Sequence, residues 1–156
     1  PNVKVVKIKS ADEMYSKIKK ISNLDFGFFS AAVSDFKNNK IKKIKLKKNN
    51  NLNLKIIKNI DILEKVGNNK KLRPKILVGF AAETGGIDSA KLKLKKKNCD
   101  LIVYNKINKE NQIFGSDYNK ISIISKNDIK NFKKMTKVNC AKEIIKYVKN
   151  YKLLNE

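Results

Sequence analysis

The chain of 156 residues is long enough to bury a sizeable core in a single domain. It contains 37 Lys and Arg residues, 14 Asp and Glu residues and no His, which gives a formal net charge of +23 at pH 7. Without His, triads that rely on an imidazole base are excluded and a zinc site is disfavoured. No apolar run reaches the ~18 residues of a membrane helix and no signal-peptide core is present, so a cytoplasmic protein without a membrane partner is expected.

The positive charge has two interpretations. All of it comes from Lys except Arg73, which is typical of a compositional bias that spreads lysines over every surface. A nucleic-acid-binding surface more often concentrates Arg and aromatic residues on one face, so we expect no specific nucleic-acid partner. The alternative, a basic nucleic-acid-binding module, predicts RNA binding that weakens steeply with salt.

The chain begins with a predicted strand and a predicted helix. Residues Val3–Ile8 have the composition of a strand. Ser10 and Glu13 form a capping box, in which the two side chains satisfy free N–H groups at the start of a helix. The helix that follows has an apolar stripe at helical spacing, made of Met14, Ile18 and Ile21.

A hairpin is predicted after the second strand. That strand, Phe26–Val33, is apolar and is followed by the carboxylate of Asp35. Residues 40–46 and 52–56 then alternate between polar and apolar, which predicts an antiparallel hairpin with one dry face over residues 40–58. The dry face covers the core or a second copy of the chain, so the hairpin is a candidate homodimer contact. The alternative is a plain edge meander.

The segment Lys75–Thr84 predicts the central strand. Its uninterrupted apolar run after Pro74 is typical of a strand that helices cover on both faces. Gly79 indicates close approach of a ligand or of another backbone. Glu83 supplies a carboxylate where the strand ends.

Two lysines stand out on the next predicted helix. Asp88 is expected to cap a helix over residues 89–97, on which Lys93 and Lys97 are neighbours at i and i+4. Their ammonium groups repel each other unless an anion lies between them. The pair is therefore either a phosphate site or part of a solvated helix face.

The remaining elements complete an alternating pattern. A short helix at residues 62–66 is expected to end at Gly67 in the C′ position. Two further strands are predicted at Leu101–Tyr104 and Ile121–Ile124. A closing helix is predicted over residues 138–154, with a buried side made of Ala141, Ile144, Ile145, Val148 and Tyr151.

This alternation of strands and helices predicts a single α/β domain over residues 1–156. We expect three layers, with a Rossmann-like, mostly parallel sheet between helices and an inserted antiparallel hairpin. Asp35, Glu83 and Asn105 each follow a predicted strand, and ligands bind where the carboxyl ends of parallel strands meet. Carboxylates beside lysines suit a metal–phosphate ligand, although the chain has no G-x-G-x-x-G or Walker A sequence.

Several short strings follow one another in a specific order. The most specific are AAVSDF at residues 31–36, KIKK at residues 40–43 and VGFAAET at residues 78–84. Together with the weaker strings SADEM, NIDIL, KNCDLIVYN and FGSD, they resemble the phosphopantothenate–cysteine ligase family. The resemblance covers residues 3–148.

The resemblance implies a ligase that joins 4′-phosphopantothenate to L-cysteine. Bacterial members of the family use CTP and Mg²⁺. The substrate carboxylate attacks the α-phosphate of CTP to give an acyl-cytidylate and pyrophosphate, and the amine of cysteine then displaces CMP. This domain, also called phosphopantothenoylcysteine synthetase, usually follows a decarboxylase domain in a bifunctional protein of coenzyme A biosynthesis. FMN is implied only for that decarboxylase, outside this chain.

The resemblance also implies roles for individual residues. Asp35 would hold the metal, and Lys40, on a mobile flap, would be catalytic by stabilising the charge that develops in acyl transfer. The backbone of Ala31 and Ala32 would approach phosphopantothenate. The implied nucleotide-binding residues are Ser30, Ala31, Asp35, Lys40, Ile60, Asp61, Ile62, Leu63, Phe80, Lys93 and Lys97. The 40–58 hairpin would correspond to the dimerisation element of the family.

The chain departs from the family pattern in two places. Ile60 stands where the family usually has Pro. The first strand of the family, its glycine-rich turn and a segment with an Asn and an Arg near the substrate have no counterpart, because Pro1 comes after them. We therefore expect an N-terminally incomplete domain whose missing segment, like the decarboxylase domain, is supplied from elsewhere. The alternative is a non-catalytic remnant that binds CTP without turnover.

Overall fold

The computed structural model describes residues 2–39, 55–107 and 115–153. Within these ranges, no helix is long and apolar enough to cross a membrane. The elements are, in chain order, α1 (Ala11–Ile18), β1 (Phe26–Phe29), β2 (Phe36–Asn38), β3 (Ile56–Lys58), α2 (Ile62–Gly67), β4 (Ile76–Glu83), α3 (Ile87–Lys96), β5 (Leu101–Lys106), β6 (Tyr118–Asn119), β7 (Ile121–Ile124), β8 (Ile129–Asn131), β9 (Met135–Thr136) and α4 (Lys137–Leu153).

The main sheet has five strands in the order β1-β4-β5-β7-β8. The first three are parallel, and β7 and β8 continue the sheet in antiparallel pairing. The predicted α/β class with a mostly parallel central sheet is confirmed. As expected from its apolar run, β4 is the strand at the centre of the parallel part, between β1 and β5.

Helices cover both faces of this sheet. On one face, Leu77 and Ala81 of β4 pack with α2 and α3, and α1 lies against the same cluster. On the other face, Val78 of β4 packs with Ile144 and Val148 of α4. Leu77 and Val78 are both fully buried, as the period-2 geometry of a strand between two layers requires.

An antiparallel pair of strands leads into the segment of the predicted hairpin. The strands β2 and β3 pair in antiparallel register, with Lys37 opposite Ile57. The backbone N–H of Asn39 donates to the carbonyl of Lys55 at 2.9 Å, which continues the pairing outwards. Residues 40–54, which include Lys40 and most of both predicted arms, lie outside the described residues.

Two predicted strands differ from the structure. Val3–Ile8 forms no strand, and its apolar side chains stay exposed, with Val3 and Val5 at 76% and 78%. A strand needs a hydrogen-bonded neighbour, and the segment pairs with none of the described strands. The predicted strand Phe26–Val33 ends at Phe29, because β1 follows β4 only as far as Gly79.

The helices confirm the predicted elements and correct their details. Ser10 caps α1 as predicted, accepting from the backbone N–H of Glu13 at 3.2 Å. Ile21 lies beyond the end of α1, and α3 begins after Gly86 rather than after Asp88. In α4, Cys140 is buried, whereas Ala141 and Ile145 are exposed. The buried stripe of α4 therefore consists of Cys140, Ile144 and Val148, which is fewer residues than predicted.

Arg73 fastens the amino ends of β4 and β5 together. Its Nη2 donates to Asp100 Oδ2 at 2.9 Å and to the carbonyl of Asn98 at 3.3 Å. Its Nη1 donates to the carbonyls of Pro74 and Lys75 at 3.2 and 3.4 Å. The same Asp100 oxygen accepts from the backbone N–H of Leu77 at 2.6 Å. A planar guanidinium can make these bonds together, which an ammonium cannot.

Replacing Arg73 with Lys tests this arrangement. We expect Arg73→Lys to lower the free energy of unfolding by about 1–2 kcal/mol, because some of these partly buried partners lose their donors. Urea unfolding followed by circular dichroism measures the change. Lys75→Arg, at an exposed ion pair with Asp25, is the matched control and should shift the stability by less than about 0.5 kcal/mol. Equal midpoints for wild type and Arg73→Lys would contradict this role.

Candidate active site at the carboxyl edge of the sheet

A cleft of about 250 Å³ lies beyond the carboxyl ends of β1 and β3 and the start of α2. Most residues implied in nucleotide binding line it together, although they come from four separate parts of the chain. These are Ser30, Ala31, Asp35, Ile60, Asp61, Ile62, Leu63, Phe80 and Lys97. The cleft is also lined by Met14, Asn59 and Lys58, which the sequence analysis did not select.

Asn59 positions the loop that follows β1. Its side-chain Nδ2 donates to the carbonyl of Ser34 at 2.9 Å, and its backbone N–H donates to the carbonyl of Asp35 at 2.7 Å. Its Oδ1 accepts from the backbone N–H of Ile60 at 2.9 Å, so one residue ties both walls of the cleft. The Asp35 side chain remains exposed at this edge. The only signal for Asn59 in the sequence was its place in the NIDIL string.

Asp61 and Lys97 form an ion pair in the cleft. Asp61 caps α2, with its Oδ1 accepting from the backbone N–H of Glu64 at 3.0 Å, and its Oδ2 lies 3.0 Å from Lys97 Nζ. Burial favours the protonated form of Asp61, but the hydrogen bond from Glu64 and the interactions with Lys97 outweigh it. The pKa of this carboxyl therefore lies below its ordinary value.

Lys93 is held at the end of β4. Its ammonium group pairs with Glu83, whose other carboxylate oxygen accepts from Ser89 Oγ at 2.5 Å. Burial raises the pKa of Glu83, but the hydrogen bonds from Lys93 and Ser89 outweigh it, so the pKa lies below its ordinary value. Lys93 does not line the cleft that contains Lys97. Each of the two lysines thus faces a carboxylate of its own.

The other implied residues lie in the same region or outside the description. Ala32 is exposed in the loop after β1 but does not line the cleft. Lys40 is not among the described residues. Asn105 and Glu83 end neighbouring strands, with Ala82 opposite Asn105 and Glu83 opposite Lys106. Asp35, in contrast, lies in the loop beyond β1.

Gly67 allows the end of α2 to pack closely against the backbone of Lys97. It is the last residue of α2 rather than a C′ residue, so its role is packing and not an unusual backbone angle. A Cβ at Gly67 would overlap the carbonyl oxygen of Lys97 and lie 3.1 Å from Leu77 Cδ2. The carbonyl of Gly67 accepts from Asn98 Nδ2 at 2.8 Å. The ends of α2 and α3 therefore touch directly beside Lys97.

Residues 1–151 match the family model described as the DNA/pantothenate metabolism flavoprotein C-terminal domain. The chain belongs to this family. This confirms the family assignment made from the ordered strings, which had rested on residue identity alone.

Relatives and solved structures agree with the family. The chain is 45% identical over 149 residues to the coenzyme A biosynthesis bifunctional protein CoaBC of Borreliella burgdorferi, covering 92% of this chain and 37% of that protein. It is 36% identical over 148 residues to the protein of the same name from Haemophilus influenzae, covering 92% and 36%. The chain therefore spans little more than a third of these relatives.

The fold is similar to that of a solved C-terminal domain. The crystal structure of the C-terminal domain of a coenzyme A biosynthesis bifunctional protein CoaBC superposes with a TM-score of 0.74 at 25% identity. The match covers 97% of this chain and 66% of that one.

Gly67→Ala tests the contact between α2 and α3. The added methyl group must displace the Lys97 carbonyl, so we expect a loss of about 1–3 kcal/mol in the free energy of unfolding. Gly85→Ala is the matched control, because a Cβ there makes only ordinary contact, 3.4 Å from Ser89 Cβ. Thermal and urea unfolding measure both variants. The contact would be unimportant if the two alanine variants proved equally stable.

Because Glu83 is ionised in the folded chain, we expect the stability of the fold to depend on pH. Because its pKa is lowered on folding from the ordinary 4.5, its contribution is fully present above about pH 4.5 and is lost as the pH falls through the lowered value. We expect Glu83→Gln to destabilise the chain near neutral pH and the difference from wild type to shrink in acid. Urea titrations across this pH range measure it. The control, Asp88→Asn at an exposed residue, should show a small difference at every pH. A difference for Glu83→Gln that is independent of pH would refute this.

Proposed function

We propose that the chain carries the ligase step of coenzyme A biosynthesis, joining 4′-phosphopantothenate to L-cysteine with the use of CTP. The observation that carries the proposal is the cleft at the carboxyl edge, where Asp35, Asp61, Phe80 and Lys97 come together. The names of the relatives and the resemblance of the ordered strings support the same reaction. A cleft at the carboxyl ends of parallel strands is the usual ligand position in such sheets.

In the proposed reaction, the carboxylate of phosphopantothenate attacks the α-phosphorus of CTP. An acyl-cytidylate forms and pyrophosphate leaves. The amine of cysteine then attacks the acyl carbon, an amide bond forms, and CMP leaves. Most of the catalysis comes from positioning the reactants and neutralising phosphoryl charge, which lysines can do without a His base.

Each proposed residue has one task in this scheme. Lys97 and Lys93 bind the triphosphate, exchanging their carboxylate partners for phosphate oxygens. Phe80 packs against the nucleotide, and the residues Ser30, Ala31 and 60–63 hold it through backbone groups. The backbone of Ala31 and Ala32 contacts phosphopantothenate. Lys40, outside the described residues, stabilises the charge that develops during acyl transfer.

Magnesium fits the carboxylates of the cleft. Mg²⁺ prefers oxygen ligands and is commonly bound through one or two carboxylates together with substrate phosphates. The exposed Asp35 at the cleft supplies such a carboxylate. No group of three or more metal-ligating side chains occurs in the described part of the chain. When bound, the ion would neutralise phosphate charge.

The proposed assembly extends beyond this chain. A homodimer forms through the 40–58 hairpin, and a decarboxylase domain with FMN belongs to the same bifunctional protein in the cytoplasm. The resemblance further implies that the remaining contacts to the substrate come from a segment outside this chain. Size-exclusion chromatography with light scattering tests the dimer.

Nucleotide binding tests the proposed function. We expect CTP with Mg²⁺ to bind the full-length polypeptide more tightly than ATP does, and Lys97→Ala to raise the Kd for CTP by about tenfold. Lys93→Ala should weaken binding in the same direction. Isothermal titration calorimetry in 150 mM salt, where the screening length is about 8 Å, measures the Kd.

Lys91→Ala is the matched control, because Lys91 lies on the same helix but pairs with Asp88 outside the cleft. It should leave the Kd for CTP unchanged. Equal losses for Lys91→Ala and Lys97→Ala, with binding that fades as salt is added and does not distinguish CTP from ATP, would instead favour the basic polyanion-binding alternative.

A further inference from the structure

The loop of residues 30–35, between β1 and β2, forms one wall of the cleft. Val33 is partly buried, whereas the other five residues of the loop are exposed. On the α4 side of the sheet, Ser30 also lines a second cavity of about 660 Å³, so the loop is open on this side too. A segment with so few buried contacts is held weakly by packing, and its position depends on hydrogen bonds to the rest of the chain.

Asn59, on the opposite wall, supplies these hydrogen bonds. Its Nδ2 donates to the carbonyl of Ser34 at 2.9 Å, and its backbone N–H donates to the carbonyl of Asp35 at 2.7 Å. Within the described part of the chain, these two bonds are the ones that tie residues 31–35 to another segment. Others stay local, such as the bond from Ser34 Oγ to the carbonyl of Phe36 at 2.8 Å. The loop is therefore fastened to the far wall of the cleft by one residue.

The two bonds from Asn59 set the direction of the Asp35 side chain. The carbonyls of Ser34 and Asp35 belong to the two peptide groups on either side of the Asp35 Cα. Because peptide groups are planar, holding both of them sets the backbone angles at Asp35 and so the direction in which its Cβ leaves. In the ranges that the structure describes, the Asp35 carboxylate itself has no ion-pair partner. It is aimed by the backbone and not by a neighbouring lysine.

Asn59 also connects Asp35 to the wall that carries Lys97. Its Oδ1 accepts from the backbone N–H of Ile60 at 2.9 Å, and the next residue, Asp61, lies 3.0 Å from Lys97 Nζ. A side-chain amide can fasten both walls at once because it has a donor and an acceptor, whereas an ionised carboxylate only accepts. Asp35 and Lys97 are thus linked through Asn59 by a short series of hydrogen bonds and one ion pair.

We propose that Asn59 is a positioning residue, which holds the Asp35 carboxylate at a fixed place relative to Lys97. This inference rests on the proposed function, in which Asp35 holds Mg²⁺ and Lys97 binds the triphosphate. A metal–triphosphate can engage both groups together only if their separation is constant, and fixed alignment of this kind lowers the entropy cost of binding and reaction. Asn59 acts through Asp35, so its contribution to nucleotide binding appears only when Mg²⁺ is present.

The experiment compares CTP binding with and without Mg²⁺ in the full-length polypeptide. Equilibrium dialysis with labelled CTP, in excess Mg²⁺ and in EDTA, gives the two Kd values for each variant. We expect Mg²⁺ to lower the Kd of wild type by about tenfold and that of Asn59→Ala by less than about threefold, with little change in EDTA. Asn59→Ser, whose side chain is one bond too short to reach the Ser34 carbonyl, should behave in the same way and disturbs the fold less.

Two further variants separate positioning from general support of the fold. Asn69→Ala is the matched control, because Asn69 Oδ1 accepts from the backbone N–H groups of Lys71 and Leu72 at 3.0 and 3.3 Å, outside the cleft. It should keep the wild-type effect of Mg²⁺. Asp35→Asn should remove that effect, and Asn59→Ala added to Asp35→Asn should change nothing further, because the two residues act as one unit. Urea unfolding checks that each variant is folded in the assay.

The outcomes distinguish this inference from the proposed function. If wild type binds CTP but both Asn59 variants keep the full effect of Mg²⁺, or weaken binding equally with and without it, Asn59 only supports the cleft and the inference is wrong. It is also wrong if Asp35→Asn keeps the effect of Mg²⁺, or if the effects of Asn59→Ala and Asp35→Asn add. If wild type does not bind CTP at all, the proposed function itself fails.

Discussion

Burial of β4 on both faces is the constraint on which the rest of the molecule depends. The strand is covered by α2 and α3 on one side and by α4 on the other, so its middle carries only apolar side chains. Charged groups on this strand can therefore appear only where it leaves the core. Glu83 does so at the carboxyl end, and the neighbouring strands β1 and β5 end at the same edge. The position of the candidate site follows from the burial of the sheet.

Two lysines at this edge are each paired with a partly buried carboxylate. The chain has an excess of 23 positive charges, yet Lys97 lies 3.0 Å from the Asp61 carboxylate and Lys93 pairs with Glu83. Both carboxyl groups keep pKa values below their ordinary range, so both stay ionised at neutral pH. A phosphate must compete with these carboxylates for the lysines.

Structural elements that depend on neighbouring residues could be predicted from the sequence. Roles of residues that depend on contacts with distant parts of the chain could not. The β4 strand, the Ser10 cap and the α4 helix follow from local patterns, and each is present. The strand-like composition of Val3–Ile8 is also local, but a strand needs a partner that composition cannot supply. The roles of Asn59 and Gly67 rest on contacts with residues that are 15 or more positions away or in another element, and a single sequence shows none of these contacts.

The candidate site residues show the same difference between local sequence patterns and contacts with distant residues. The resemblance selected Asp35, Asp61 and Lys97, which the structure brings to one cleft. Helical spacing drew attention to Lys93 and Lys97 as a pair, and the resemblance implied both in nucleotide binding. The two side chains nevertheless diverge, because Glu83 holds one and Asp61 holds the other. Helical spacing fixes where two side chains leave the backbone, whereas their ends follow the nearest opposite charge. Glu83 at the end of β4 and Asp61 at the start of α2 therefore decide which lysine reaches the cleft.

Two cavities share a boundary at the carboxyl edge of the sheet. Ser30 and Phe80 line both spaces, and Asn59 anchors the loop that begins at Ser30. A loop fixed by several hydrogen bonds keeps the groups on it aligned better than a free loop does. The short connection after β1 is thus held by hydrogen bonds to Asn59 on the opposite wall, which fixes the shape of the cleft without any ionisable side chain.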